Sequence, residues 1–174
     1  YVILWVEYRN LLKHNKMNIF KKILFIAAVF LLYFPALYAV PKTAHFWISN
    51  LENDRFKSKQ FQAPIVISFF FVDCIPCKKE VPQLFQLITR NYPDVKLLFI
   101  DPIQQDDKSR IAEFARRWKV PRRFFYHDPL GAIARKFDID GRFPTIIGIR
   151  NREQLFRLND LSEKSIQKIK SKLK

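Results

Sequence analysis

IVISFFFVDCIPCKKEVPQLFQLITR, Ile65–Arg90, joins an almost wholly apolar run to an amphipathic one, and the chain's only two cysteines, Cys74 and Cys77, lie at the junction. Ile65 to Val72 is too apolar to alternate, which is how a central strand covered on both faces reads. From Lys78 to Arg90, Val81, Leu84, Phe85, Leu87 and Ile88 recur at helical spacing, with Pro82 expected to kink the helix. Two thiols three residues apart in such a turn reach disulfide distance. A helix N-terminus also aims amide N–H groups at the first sulfur and stabilises its thiolate. The spacing therefore predicts a redox centre with Cys74 as the attacking thiol.

Two structural readings of the pair are weaker. A structural zinc site wants four ligands, and the three histidines, His14, His45 and His127, are not spaced as a pair. A disulfide across two intervening residues closes too small a loop to stabilise a fold of this size by much.

With 174 residues, 49% of them hydrophobic, the chain can bury a core and is not a disordered protein. Lys21 and Lys22 precede an uncharged run from Ile23 to Val40, a few residues after the only methionine, Met17. A basic segment, an apolar segment and small residues near its end form the layout of a secretory signal. Met17 is read as the biological start and residues 1–16 as a non-native upstream extension, the alternative being a cytoplasmic leader. Residues 17–39 then have two readings: a signal cleaved after Ala39, or a retained anchor through residues 23–40, a run close to the ~20 residues a span requires. Pro35 argues against a continuous span. Both readings place the domain of residues 40–174 outside the cytoplasm, in the periplasm or an equivalent compartment. Thiols persist there only if something keeps reducing them, so a lone pair implies an electron-transfer partner.

The formal net charge is +15; residues 1–39 carry five Lys+Arg and one Glu, so the remainder holds 26 positive and 15 negative residues, or +11. That field attracts anionic headgroups or acidic partners. Nucleic acid is not expected as a partner, because an export signal and the lack of a recognition motif both count against it. A solvated lysine-rich surface accounts for most of the charge.

Residues 41–59 are polar with spaced aromatics, Phe46, Trp47 and Phe56, consistent with a leading strand or loop docked on the core. Beyond the first helix, Val95 to Ile100 reads as a second buried strand and Ser109 to Trp118 as an amphipathic helix. Val120 to Tyr126 reads as a short strand and Leu130 to Phe137 as a short helix. Ile146 to Ile149 follows Phe143-Pro144-Thr145, Gln154 to Leu158 can return as a hairpin partner, and a terminal helix from Ser162 presents Leu161, Ile166, Ile169 and Leu173 inward. The order strand, helix, strand, helix indicates a parallel arrangement in one α/β domain, a mixed sheet flanked by helices.

A proline just before a strand, in a chain with a redox pair, is most informative if its peptide bond is cis. Such a turn at Phe143-Pro144 would bring the Phe143 backbone beside the cysteines; an ordinary trans proline opening a strand is the alternative. With Ile65–Val72 before Cys74-Ile75-Pro76-Cys77, Lys78-Lys79-Glu80-Val81-Pro82 after it, His127-Asp128-Pro129-Leu130-Gly131 before a short helix, and Phe143-Pro144-Thr145, the chain resembles the thioredoxin superfamily. It is most similar to exported TlpA-like thiol–disulfide oxidoreductases, which include cytochrome c maturation reductants. The resemblance covers roughly residues 42–174 and implies a thioredoxin-like fold, with Cys74 as nucleophile, Cys77 as resolving thiol and Pro144 as the cis-proline of a substrate groove. Ile75, Pro76, Phe143 and Thr145 are the expected substrate-contacting positions. Glu80 matches a carboxylate that in some members lies near the buried cysteine. One helical turn beyond Cys77, it is placed to disfavour the thiolate and relay a proton; a surface glutamate is the alternative.

One position departs from the family. Tryptophan usually precedes the first cysteine, whereas this chain has Asp73, whose negative charge opposes thiolate formation and predicts a couple toward the reducing end. A peroxidase of the peroxiredoxin branch expects threonine or serine three residues before its cysteine and a proline further upstream, but Phe71 and Ile67 stand there. A copper-delivery protein of this fold would separate its cysteines by three residues and add a histidine, for which His127 is the candidate. The leading expectation is an exported reductant of protein disulfides that needs no bound cofactor. Its electrons would come from a membrane thiol relay, and apocytochrome c is a substrate offered by the resemblance alone.

Overall fold

The computed structural model describes residues 45–174, which fall within one unit spanning Pro41–Lys174. The readings made for residues 1–16, 17–39 and 23–40 lie outside the described residues. Among the described residues, no helix is long and apolar enough to cross a membrane.

A five-stranded mixed sheet forms the centre. Its strands are β3 (Ile65–Phe69), β4 (Lys96–Asp101), β5 (Phe125–His127), β6 (Thr145–Arg150) and β7 (Glu153–Leu158), in the spatial order β5-β4-β3-β6-β7. β3 runs parallel to β4 and β4 to β5, whereas β6 is antiparallel to both β3 and β7. Ahead of it, β1 (Trp47–Ser49) and β2 (Arg55–Lys57) make a separate antiparallel hairpin. The helices are α1 (Ile75–Asn91), α2 (Lys108–Arg117), α3 (Ala132–Lys136) and α4 (Glu163–Leu173).

All five β3 residues are buried because both faces of the sheet are covered. Val66, Leu97, Phe99, Phe125 and Ile146 meet Val81, Leu84 and Ile88 of α1, Ile111 and Phe114 of α2, and Ile169 and Leu173 of α4. On the opposite face, Ile65, Ile67, Phe69, Leu98 and Ile147 meet Ile133 and Phe137 of α3 and Phe46, Ile48 and Phe56 of the hairpin. Each such side chain contributes about 1.5–3 kcal/mol relative to exposure, which is why the apolar run occupies the middle of the sheet. β6 and β7 are joined through Asn151 and Arg152, both in the left-handed region (φ 51° and 70°), the geometry of a tight hairpin turn.

Several expected boundaries shift. The run Ile65–Val72 outlasts its strand: β3 ends at Phe69 although the Phe70 N–H still donates to the Ile100 carbonyl, and beyond it the chain turns toward the cysteines. The first helix begins at Ile75 rather than Lys78, and Pro82 lies inside it. Val120–Tyr126 resolves into a 3-10 turn at Arg122–Phe124 followed by β5. Trp47 does not dock on the core: on a two-residue strand period it points outward beside buried Phe46 and Ile48, under the Arg55 guanidinium at 5.1 Å. Ile166 is only partly buried, while Leu161, Ile169 and Leu173 form the inward face of the terminal segment.

Candidate active site

Cys74 is the N-cap of α1, with extended backbone (φ −62°, ψ 109°), and its sulfur accepts the Cys77 N–H at 3.2 Å. Pro76 sits in the first helical turn, where a missing N–H costs nothing. Cys74 and Cys77 form a disulfide with their Cα atoms 5.2 Å apart. The two sulfur-bearing residues are buried (3% and 0% exposed), whereas Ile75 between them is 80% exposed and Pro76 is exposed too. The turn thus shows its apolar intervening residues to solvent with the sulfurs beneath them. The directed N–H and the helix N-terminus both favour a thiolate on Cys74 once the bond is reduced.

The Phe143-Pro144 peptide bond is cis. It leads into β6, where Thr145 pairs with Phe69 at the end of β3, so the proline turn lies at the same end of the central strands as the cysteines. The Phe143 ring packs edge-on against Phe71, with centroids 5.3 Å apart. Thr145 is buried, and its hydroxyl donates to the Arg142 carbonyl at 2.7 Å and accepts from the Asn159 side chain at 3.0 Å. Its side chain is therefore spent inside the protein, unlike those of Ile75 and Pro76.

Glu80 is half-buried on α1, and one of its carboxylate oxygens is buried without a hydrogen-bond partner. Burial pushes its carboxyl above the ordinary range; the Leu161 backbone hydrogen bond and Lys79 oppose this, and the charge of Asp160 adds to it. The side chain is tucked against the loop leading into α4 and is not a freely solvated surface glutamate.

On the other flank, sequence reasoning missed the partners of Asp73. Arg110 of α2 donates to the Asp73 carboxylate at 2.9 Å through Nη2 and to Asp106 at 2.5 Å through Nη1. The second Asp106 oxygen accepts the Val72 N–H at 3.1 Å. The negative charge expected beside Cys74 is therefore answered by a cation 37 residues away, which corrects the picture of an uncompensated Asp73. Behind them Asp101, fully buried at the end of β4, is pushed up to about 8, chiefly by burial and further by Asp106. Asp101 Oδ1 accepts the Ile103 N–H at 2.9 Å, while its Oδ2 is buried without a partner. A recess of about 200 Å³, with Val72, Asp73, Lys78, Arg110 and Trp118 in its wall, opens beside this network.

His127, the candidate copper ligand, lies on β5 with its Nε2 3.3 Å from the Ile103 carbonyl oxygen. Among the described residues there is no group of three or more His, Cys, Asp or Glu side chains placed to hold a metal ion.

No protein-family model matches the chain. No curated protein sequence matches it either. Solved structures do. The chain is similar to MTB dsbF (TM-score 0.65, 18% identity, covering 77% of this chain and 99% of that one). It is similar to a secreted Mycobacterium tuberculosis disulfide oxidoreductase homologous to E. coli DsbE (TM-score 0.58, 20% identity, 74% and 93% covered). A thioredoxin-like protein from Aeropyrum pernix also matches (TM-score 0.62, 14% identity, 74% and 88% covered). At these identities the likeness is one of fold, and with the mixed sheet, the flanking helices and the cysteine pair at the start of α1 it shows that the described residues adopt the thioredoxin-like fold.

Proposed function

We propose that the chain is an exported thiol–disulfide oxidoreductase that reduces disulfides in protein substrates through the Cys74/Cys77 couple. The observation that carries this reading is the Cys74–Cys77 disulfide at the N-terminus of α1, with the Cys77 N–H directed at the Cys74 sulfur and the cis Phe143-Pro144 turn at the same end of the central strands. The likeness in fold to a secreted disulfide oxidoreductase of Mycobacterium tuberculosis supports it.

In this mechanism the Cys74 thiolate attacks one sulfur of a substrate disulfide. A Cys74–substrate bond forms, the substrate S–S bond breaks, and a substrate thiolate leaves. Cys77 loses its proton and attacks the Cys74 sulfur, re-forming the Cys74–Cys77 bond and expelling the second substrate thiolate. The substrate gains two electrons and, on protonation, two thiols. Glu80, one turn beyond Cys77, takes the Cys77 proton. Ile75, Pro76, Pro144 and the backbones of Phe143 and Thr145 meet the substrate chain. A dithiol donor in the membrane restores the reduced pair, residues 17–39 export or anchor the domain, and apocytochrome c is a substrate to try first.

The reducing direction rests on Asp73, whose influence Arg110 moderates. Insulin reduction by the full chain with dithiothreitol is expected to proceed catalytically and to fall to background in Cys74→Ser. Equal turnover by the variant would overturn the assignment. A reduction potential near that of a strong disulfide donor, about −120 mV, would overturn the direction.

A further inference from the structure

We propose that Arg110 is a positioning residue for Cys74, masking the carboxylate beside the attacking sulfur and pinning the backbone that presents it. This rests on the reading of Cys74 as the attacking thiol.

The geometry behind the proposal is a chain of contacts between α2 and the active-site turn. One guanidinium nitrogen of Arg110 reaches Asp73 and the other reaches Asp106, so a single side chain bridges an exposed carboxylate and one whose side chain is 2% exposed. A buried carboxylate is stable only when it is paired or well hydrogen-bonded. Asp106 has both kinds of partner, because its second oxygen accepts the Val72 N–H. That N–H belongs to the residue just before Asp73, beyond the end of β3, where the strand ladder no longer serves it. Cys74 is then held from behind by its own N–H, which donates to the Phe71 carbonyl at 3.1 Å. Arg110 is thus fastened to the turn at its side chain, through Asp73, and at its backbone, through Asp106.

The electrostatic consequence has a definite sign. With Arg110 in place the Asp73 charge is compensated locally, and the excess negative charge of the trio is carried by Asp106, which is shielded inside the protein. Without Arg110, Asp73 would bear on the Cys74 thiolate unopposed. Without Asp73, the guanidinium would remain paired with Asp106 alone, and the net negative charge beside the sulfur would be gone. The planar fork matters as well as the charge, since a lysine ammonium cannot hold two carboxylates in the same fixed geometry. Lys78 and Arg117, which also line the recess, stand outside this bridge; Arg117 faces Glu113 at 3.8 Å.

The test is the thiolate-to-thiol ratio of Cys74, read from absorbance against pH in the full chain carrying Cys77→Ser. Because both charges are largely exposed, each effect is modest. Arg110→Gln is expected to lower the ratio about threefold at fixed pH, and Asp73→Asn to raise it about threefold. Arg110→Lys should restore only part of the loss. Opposite signs are what a purely structural role would not produce. If Arg110→Gln leaves the ratio unchanged, or the two variants shift it in the same direction, the proposal is overturned. Where Arg110→Gln fails to fold, the charge-retaining Arg110→Lys decides the matter: a ratio below wild type supports the bridge and a ratio equal to wild type overturns it. Failure of the underlying reading looks different: the wild-type chain would not reduce insulin, whatever these ratios are.

Discussion

The two polar flanks of the cysteine turn face neighbours of opposite sign. On the α2 side, Asp73 and Asp106 share the Arg110 guanidinium, and the second Asp106 oxygen takes a backbone N–H. On the α4 side, Glu80 has an unpartnered buried oxygen, and the carboxylate of Asp160 acts on it more strongly than the opposing charge of Lys79. Hydrogen bonds from Ser162 and Ser165 hold Asp160 down at about 2, so it stays ionised and disfavours the ionised form of Glu80. One flank is therefore a fixed electrostatic support, and the other keeps a carboxyl group able to hold and release a proton. In the proposed cycle the first flank would steady the attacking sulfur and the second would accept the proton of the resolving thiol.

The comparison breaks most visibly at Asp106. Asp106→Ala removes the buried partner of Arg110 and leaves the Val72 N–H unsatisfied, so a loss of about 3 kcal/mol is expected in denaturant unfolding. A loss under about 0.5 kcal/mol would mean that the α2 flank supports nothing.

Asp101 sharpens the same flank through pH. Its folded carboxyl is raised from an ordinary 3.8 to about 8, chiefly by burial, so the folded state holds its proton more tightly than the unfolded chain. The sign follows: this group costs nothing below pH ~4, and stability falls as pH rises from about 4 to about 8. Asp101→Asn keeps the Oδ1 acceptor for the Ile103 N–H and is expected to flatten that decline in a series of unfolding curves. A slope identical to wild type would show that Asp101 does not carry it.

Glu80→Gln is the smallest of the three effects on the fold and the most informative about the other flank. Glu80 is also raised above its ordinary value, so its ionisation destabilises the fold as pH rises above 4.5, and the amide should be neutral or slightly stabilising at pH 7. Its cost should fall on turnover, with about a hundredfold slower resolution of the mixed disulfide, the low end for a lost acid–base group. Unchanged resolution kinetics would return Glu80 to the role of a surface residue.

The contrast between the flanks also shows what could be read in advance. Cys74, Cys77 and Pro144 announce themselves by residue type and by position at the junctions of strongly patterned segments, and β3, α1 and β6 follow from uninterrupted apolar or helical spacing. Arg110 does not, because its meeting with Asp73 joins residues 37 apart and depends on how α2 packs against the sheet. Asp101 looks like a charged residue ending a strand, and only packing on both faces shows that it is buried. The apolar run past Phe69 overstated β3 because apolar residues also line the turn, where Phe71 is needed against Phe143.

The most direct test of Cys74 as the attacking thiol is covalent trapping. The full chain carrying Cys77→Ser, mixed with reduced and denatured substrate bearing one disulfide-activated cysteine, is expected to accumulate a mixed disulfide through Cys74, reversible by dithiothreitol and absent when Cys74 is also replaced by serine. Failure to trap any adduct under conditions in which the wild-type chain turns over, or trapping that persists without Cys74, would contradict the account.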